Sequence, residues 1–489
     1  MQWLRRTSTL LRGLLKPKKL QASSFKVSWR NGHSESSLKG HLDVPESPLE
    51  FVDLKNGMRL ICECKDSCVT TVGFLVPAGS MHERPDERGA SLFMEHLLFR
   101  RTRCRTREEI AEILDRTGAK LSALAMRDMF LFYGTIPSHD VAVIVELMVD
   151  VILNGITCDE DVVAERCILL RELCEMETDY ERVVMDYLPT LAYQGTELGK
   201  SVYPETCVIE NMTVDTIESF RTRLFQPSLM TMISTGGTSF TDIQNLASEY
   251  FVGTSQDNCP IEGQCTPKDY LCSPCFRYTG SDLRFRDDDV SLGHVAVAVE
   301  GPGHLDCEDH CTLTVAKEIV GFWDLTFGGG KNNSPRLAEC AFGTDMCHMY
   351  KSFNIGWANT GLWGCFFSCG KMQLEDMMWM VQNEWMRLCM EITSREVARA
   401  VNQCRMRELV RVNDSVDRFY DIAICLYRRG CYEPFNHRIA RYESVTADKL
   451  REVANKYIYD QCPVVVAVGP VENLLDYNHI RSSMYRIRY

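Results

Sequence analysis

Glu95 and His96 stand side by side in the stretch Gly89-Ala-Ser-Leu-Phe-Met-Glu-His-Leu-Leu-Phe99. The chemistry that such a pair suggests is metal-assisted hydrolysis. In the pattern H-x-x-E-H two imidazoles sit at i and i+4, on one face of a helix, so that both reach a single zinc ion. The Glu between them is the general base for the zinc-bound water. Here the first of the two ligand positions holds Leu92. A leucine side chain has no lone pair to donate. The motif therefore keeps a base position, Glu95, and one ligand position, His96. Alone on its helix, His96 reads equally well as a core or surface histidine without a metal, and Glu95 as a solvated or paired acid.

Other groupings that could carry chemistry are less specific. Cys259, Cys265, Cys272 and Cys275 lie close in sequence, and the last two have a C-x-x-C spacing. The remaining spacings fit no standard zinc pattern, so a metal knot there is left open but disfavoured. The triple glycine at 328–330 lacks the downstream Lys-Ser/Thr of a phosphate-binding loop and is expected to be a tight loop. Arg100, Arg101, Arg103, Arg105 and Arg107 are expected to form a solvated loop rather than an RNA site.

These residues must be positioned by a regular scaffold. Phe51 to Leu54, a turn at Asn56-Gly57, and Arg59 to Cys64 predict a hairpin, with a further strand at Val69 to Val76. Helical spacing starts at Ala90 and again at Thr106, where Glu109 completes a capping box. Lys120 to Ile136 is strand-like, and His139–Asn154 and Glu160–Glu177 predict helices. The second half repeats the programme. Strands at Phe353–Trp357 and Trp363–Ser368 precede helices at Leu374–Met390 and Ser394–Val410. Thr157 and Thr393 mark the start of one matched helix pair. Thr213-Val-Asp215 and Thr446-Ala-Asp448 begin another, and strands ending in Gly236 and Gly469 follow at the same offset. Landmarks repeated at one offset imply internal duplication. The expected fold is α/β in the layered α+β sense: two homologous sheet-and-helix lobes, residues 46–252 and 281–489, joined by a linker at 253–280.

The N-terminal 34 residues hold eight Lys or Arg and no acid, interleaved with leucines. That composition predicts a mitochondrial transit peptide and flexible start over 1–45. Without those eight cations the formal charge of −13 becomes about −21, which argues against nucleic acid and suits basic partners. The 23 cysteines are odd in number and scattered, with Cys389 and Cys425 inside apolar-periodic stretches. Reduced, mostly buried thiols are expected. No uninterrupted apolar run reaches the length of a membrane span; Val141 to Leu153 is interrupted by Glu146 and Asp150.

Longer stretches carry a resemblance. Besides 89–99, they include Glu165-Arg-Cys-Ile-Leu-Leu-Arg-Glu172, Tyr187-Leu-Pro-Thr-Leu-Ala-Tyr-Gln194, Thr279-Gly-Ser-Asp-Leu-Arg-Phe-Arg-Asp287, Phe327-Gly-Gly-Gly330 and Thr360-Gly-Leu-Trp-Gly364. Over nearly the whole chain after the leader, the sequence resembles the family of the mitochondrial processing peptidase beta subunit and the cytochrome bc1 complex core 1 subunit. This family has the pitrilysin-type inverzincin fold. The resemblance implies that Glu172 matches the third zinc ligand, Glu165 a supporting acid, and Asp186 an acid of the substrate pocket. It also exposes three departures. Leu92 replaces a ligand His, Arg182 replaces an acid that receives the substrate's arginine, and Ser122 replaces an Asn on the substrate-binding edge strand.

What this implies is a core-1-like, non-catalytic subunit of the bc1 complex in the respiratory chain. The alternatives are a beta-like metalloendopeptidase subunit cleaving presequences of imported proteins, and a presequence-binding pseudoenzyme. Whether any peptidase activity survives is left open. No cofactor is expected beyond weak or vestigial zinc at His96 and Glu172. The implied partners are a homologous alpha-like or core-2-like subunit in a heterodimer, complex III subunits, and basic presequence peptides. The implied location is the mitochondrion, in the matrix or on the matrix side of the inner membrane.

Overall fold

The computed structural model describes residues 48–251, 276–327 and 335–485. The leader, most of the expected linker, the four-cysteine cluster and the triple glycine lie outside them. All described residues fall in one compact unit, Pro45–Tyr489.

The first half contributes strands β1 (Leu49–Asp53), β2 (Arg59–Cys64), β3 (Val69–Val76), β4 (Lys120–Ala125), β5 (Phe130–Pro137) and β6 (Thr231–Gly236). Its helices are α1 (Ala90–Leu97), α2 (Arg107–Thr117), α3 (Val141–Asn154), α4 (Asp159–Glu177), α5 (Tyr180–Ala192), α6 (Thr206–Asn211), α7 (Val214–Leu224) and α8 (Phe240–Tyr250). The second half contributes β7 (Asp282–Arg286), β8 (Leu292–Pro302), β9 (Phe322–Asp324), β10 (Met349–Gly356), β11 (Thr360–Gly370) and β12 (Val464–Gly469). Its helices are α9 (Cys307–Val320), α10 (Arg336–Thr344), α11 (Leu374–Met390), α12 (Ser394–Asn413), α13 (Ser415–Arg429), α14 (Phe435–Glu443), α15 (Ala447–Tyr457) and α16 (Tyr477–Ser482).

The two sheets run β1-β2-β6-β3-β5-β4 and β7-β12-β8-β11-β10-β9. With β1 and β9 set aside, the orders are equivalent. In each, one parallel pair (β2 with β6, β7 with β12) adjoins an antiparallel meander. This is the mixed sheet-and-helix fold in two copies that the repeated landmarks predict. The extra strands fall on opposite edges. In the first lobe β4 is left as an open edge, whereas its counterpart β10 is paired with β9.

Two details differ from the sequence expectation. Lys120–Ile136 is not one strand but the hairpin β4–β5, turned at Met126–Met129, where the Met126 N–H donates to the Met129 carbonyl at 2.9 Å. No glycine or proline marks that turn. The α4 helix starts at Asp159 with Cys158 at its N-cap, so Thr157 is not the match of Thr393, which does cap α12 through the Glu396 N–H.

Both sheets are covered on both faces, which explains strands such as Val464-Val-Val-Ala-Val468 that read as unbroken apolar runs. One face of each sheet packs on helices of its own lobe. The other face receives a helix from the opposite half of the chain. On the first sheet, Phe419, Ile422, Ala423 and Tyr427 of α13 pack with Ile61, Leu75, Leu131 and Ile233. On the second, Val184, Leu188 and Ala192 of α5 pack with Ala296, Phe366, Val464 and Val466. Since α5 and α13 hold equivalent places in the two repeats, the lobes exchange a helix. The docking is close at Gly73, where a Cβ would stand 2.7 Å from the Phe419 ring. No helix among the described residues is long and apolar enough to cross a membrane. Cys389 and Cys425 are buried, and no disulfide joins the described cysteines.

Burial leaves three histidines neutral. It pushes His82 and His310 down to about 4 and His304 to about 2. In the unfolded chain each takes up a proton near pH 6.5, whereas in the folded chain it does not. Stability is therefore unaffected by these groups above pH 6.5 and declines as pH falls from 6.5 towards 4. Each histidine adds up to about 1.4 kcal/mol per pH unit to that decline. Urea midpoints at pH 7.5, 6.5 and 5.5 should show a plateau followed by a fall. His304→Leu should make the fall shallower, and an equally steep fall in that variant would refute the assignment.

Candidate functional site

The motif helix α1 is fixed from below by a buried acid. Glu83 accepts from the N–H groups of Gly89 and Ser91, each at 2.9 Å, and from the Ser91 hydroxyl at 2.5 Å. A carboxylate there satisfies donors that the helix cannot and complements its dipole. Gly89 precedes the helix with φ of 82°, a conformation that favours glycine, and an added Cβ would lie 2.9 Å from Pro204.

On this helix Leu92 is 5% exposed and belongs to the core of the first lobe. It is a packing residue. One turn on, His96 is gripped from both sides by α4. Its Nδ1 lies 3.0 Å from Glu165 Oε1 and its Nε2 lies 3.2 Å from Glu172 Oε2. Burial alone would push the imidazole down. The hydrogen bond to Glu165 and the charges of Glu172, Glu165 and Glu95 outweigh it and raise His96 above its ordinary value. Glu165 is itself bound by Arg100 and, despite burial, is held below the usual carboxylate range by His96 and Arg100.

Glu95 is turned to the open edge strand, where its Oε2 accepts the Ala125 N–H at 2.8 Å. Burial raises its pKa against that hydrogen bond and the charge of His96, with Glu172 adding to the rise and Arg182 opposing it. Arg182 lies at the start of α5. Its guanidinium donates to the Tyr203 hydroxyl at 2.7 Å and sits 5.7 Å above that ring. Burial raises Tyr203, and Arg182 counters the rise, while the charges of Glu172 and Glu95 are also felt there. Glu95, His96, Glu165, Glu172 and Arg182 thus form one electrostatic cluster.

Asp186 is placed apart from it. Its Oδ1 pairs with the buried Arg127 at 2.6 Å and its Oδ2 accepts from Ser201 at 2.5 Å. Arg127 also donates to the carbonyls of Leu198 and Lys200, at 3.1 and 2.8 Å. Asp186 is engaged in holding α5. Ser122, on β4, is half-buried and faces Tyr133 in the strand register.

The sequence reading missed Arg100, Arg127 and Tyr203. Three of the five residues of the arginine run are paired with acids rather than solvated. Arg100 pairs with Glu165, Arg101 with Asp161 at 2.7 Å, and Arg105 with Asp150 at 2.7 Å and with Glu146. The acids of α3 and α4 draw these side chains in. Their only sequence signal is the density of Glu and Asp on two helices more than 40 residues away.

Zinc does not fit this arrangement. Among the described residues no three His, Cys, Asp or Glu side chains are grouped to hold a metal. Leu92 offers no donor, and both nitrogens of His96 face carboxylates. The carboxylates Glu165 and Glu172 are already engaged by His96 and, for Glu165, by Arg100.

Comparison with known proteins identifies the family. The model "Insulinase (Peptidase family M16)" matches residues 62–205, and "Peptidase M16 inactive domain" matches 211–404. The chain is 36% identical over 446 residues to the mitochondrial-processing peptidase subunit beta of Bos taurus, covering 91% of this chain and 88% of that protein. It is 35% identical over 446 residues to the cytochrome b-c1 complex subunit 1, mitochondrial, of Rattus norvegicus, covering 91% of each. The fold is shared with a chain of complex III2 from Candida albicans, Inz-5 bound (TM-score 0.78, 20% identity, 90% of this chain and 100% of that one). It is also shared with a protease from Helicobacter pylori (TM-score 0.76, 17% identity, 87% and 100%). The sequence relatives are mitochondrial, and this chain is assigned to the mitochondrion with them. With its two matched domains on one polypeptide, the chain belongs to peptidase family M16.

Proposed function

We propose that this chain is a non-catalytic, core-1-like subunit of the mitochondrial cytochrome bc1 complex, on the matrix side of the inner membrane. It pairs there with a homologous core-2-like subunit. The observation that supports this reading most is the state of the motif helix. The position needed for a second imidazole is a core leucine, and the remaining charged groups satisfy one another. Glu95, at the base position, ties down the last N–H of the edge strand β4. His96 joins α1 to α4. Arg182 puts a cation where the substrate's arginine would sit in the peptidase relatives, and like charges at that distance repel. The residues that would perform hydrolysis in the family here hold α1 to α4 and to the edge strand β4.

The similarity to the mitochondrial-processing peptidase subunit beta supports a second reading, a beta-like subunit that binds or cleaves basic presequences in a matrix heterodimer. Native electrophoresis of the affinity-tagged chain from mitochondria separates the two. Co-migration with cytochromes b and c1 is expected. Recovery only as a free heterodimer in the matrix would overturn the structural role, and an exclusively monomeric protein would contradict both readings.

A further inference from the structure

A cavity of about 540 Å³ lies in the second lobe between α9, α12, α13, α14 and the end of β10. Its volume is in the range that holds a small molecule. Neither the peptidase remnant nor the helix exchange accounts for it.

Its lining is unusual in how charge is distributed. Buried ions are ordinarily neutralised by a partner of their own. Here each of three carboxylates is shared by two cations. Glu318 serves Lys317, at 3.5 Å, and Arg407. Glu433 serves Arg429 at 2.7 Å and Arg441 at 2.9 Å. Glu408 serves Arg411 at 3.7 Å and Arg438 at 3.4 Å. Asp421 also takes Arg438, at 2.6 Å, but is itself shared with Arg418 at 3.2 Å. Arg428 is answered by Asp128 of the other lobe, at 2.7 Å. Cations in the lining outnumber carboxylates, seven to five, within a chain that is acidic as a whole.

Two further observations point the same way. His304 and His310 face each other with ring centroids 4.4 Å apart, and both stay neutral; after burial, the nearby charges of Arg428 and Arg429 help keep them so. Three buried polar atoms of the lining, Arg438 Nε, Asn354 Oδ1 and Glu408 Oε2, have no hydrogen-bond partner. The first requires an acceptor and the other two a donor. A hydroxylated oxyanion supplies both, and clustered guanidinium groups match the oxygens of phosphate by paired N–H donation.

We propose that this cavity is a binding site for a small multivalent phosphate-bearing anion. The reading is independent of whether the chain serves the bc1 complex or a peptidase.

The test is isothermal titration of the purified full-length chain, in complex with its partner where it is isolated so, with inorganic tripolyphosphate. One site per chain is expected. The double variant Arg407→Gln/Arg411→Gln changes side chains that are 41% and 57% exposed at the cavity. It should bind at least about tenfold more weakly, a loss of about 1.4 kcal/mol, under conditions where the variant is folded. Lys317→Gln offers the same test should the double variant fold poorly. Arg451→Gln on α15, outside the lining, should bind as the unmodified chain does. Absence of binding by the unmodified chain at about 1 mM, where affinity corresponds to about −4 kcal/mol, would overturn the proposal. So would equal binding by the cavity variants, or an equal loss in Arg451→Gln.

Discussion

Arg418→Met should lower the stability of the chain by about 3–5 kcal/mol, the usual cost of stripping the partner from a buried charge. Arg418 is the polar centre of the α13 exchange. Its Nε donates to Glu63 Oε2 at 2.9 Å and its Nη2 to Glu63 Oε1 at 2.5 Å, across from the second half of the chain to β2 of the first. It also donates to the Tyr432 hydroxyl at 2.8 Å. Arg418 and Glu63 are 5% and 7% exposed, so water cannot replace the lost guanidinium. Urea denaturation provides the measurement. The double variant Glu63→Gln/Arg418→Met should recover a good part of the loss, because the uncompensated carboxylate is then gone. A loss below about 1 kcal/mol, the range of exposed ion pairs, would show that α13 is not clamped through this contact.

Leu92→His should make the chain responsive to zinc. Without metal, an imidazole placed in this apolar position costs about 1–3 kcal/mol, the penalty of an unsatisfied buried polar group. With zinc, the imidazoles at 92 and 96 lie on one helix face and Glu172 is within reach of the second, so metal should restore the lost stability. The unmodified chain should show no such shift. The two departures from the family act on different quantities, the first on metal affinity and the second on substrate charge. Adding Arg182→Glu should therefore favour binding of arginine-containing presequence peptides over arginine-free ones. Thermal unfolding with and without zinc, followed by peptide binding, reads both. A zinc shift in the unmodified chain as large as in Leu92→His would mean that another residue supplies the missing ligand.

Some of this could be read from the sequence and some could not, for physical reasons. The capping box at Thr106 and Glu109 and the 3.6-residue spacing of Leu374–Met390 are local signals, and the structure reproduces both. The duplication was visible because Thr213 and Thr446 cap equivalent helices and Gly236 and Gly469 end equivalent strands. The exchange of α5 and α13 was not. An amphipathic pattern shows that a helix has a buried face, not which sheet receives it. At the site, the loss of a donor at Leu92 follows from residue identity alone. The clamp on His96 and the engagement of Asp186 by Arg127 depend on contacts 69 and 59 residues apart in the chain, and no local pattern encodes those.

The most direct test of the account is metal content together with peptide cleavage, measured on the unmodified chain reconstituted with its partner subunit. Elemental analysis after exposure to zinc should find well under one equivalent held by this chain. A fluorescent presequence peptide should not be cleaved above the rate of a Glu95→Gln control. One tightly held zinc per chain, with cleavage that Glu95→Gln abolishes, would contradict the reading of this site as a structural remnant.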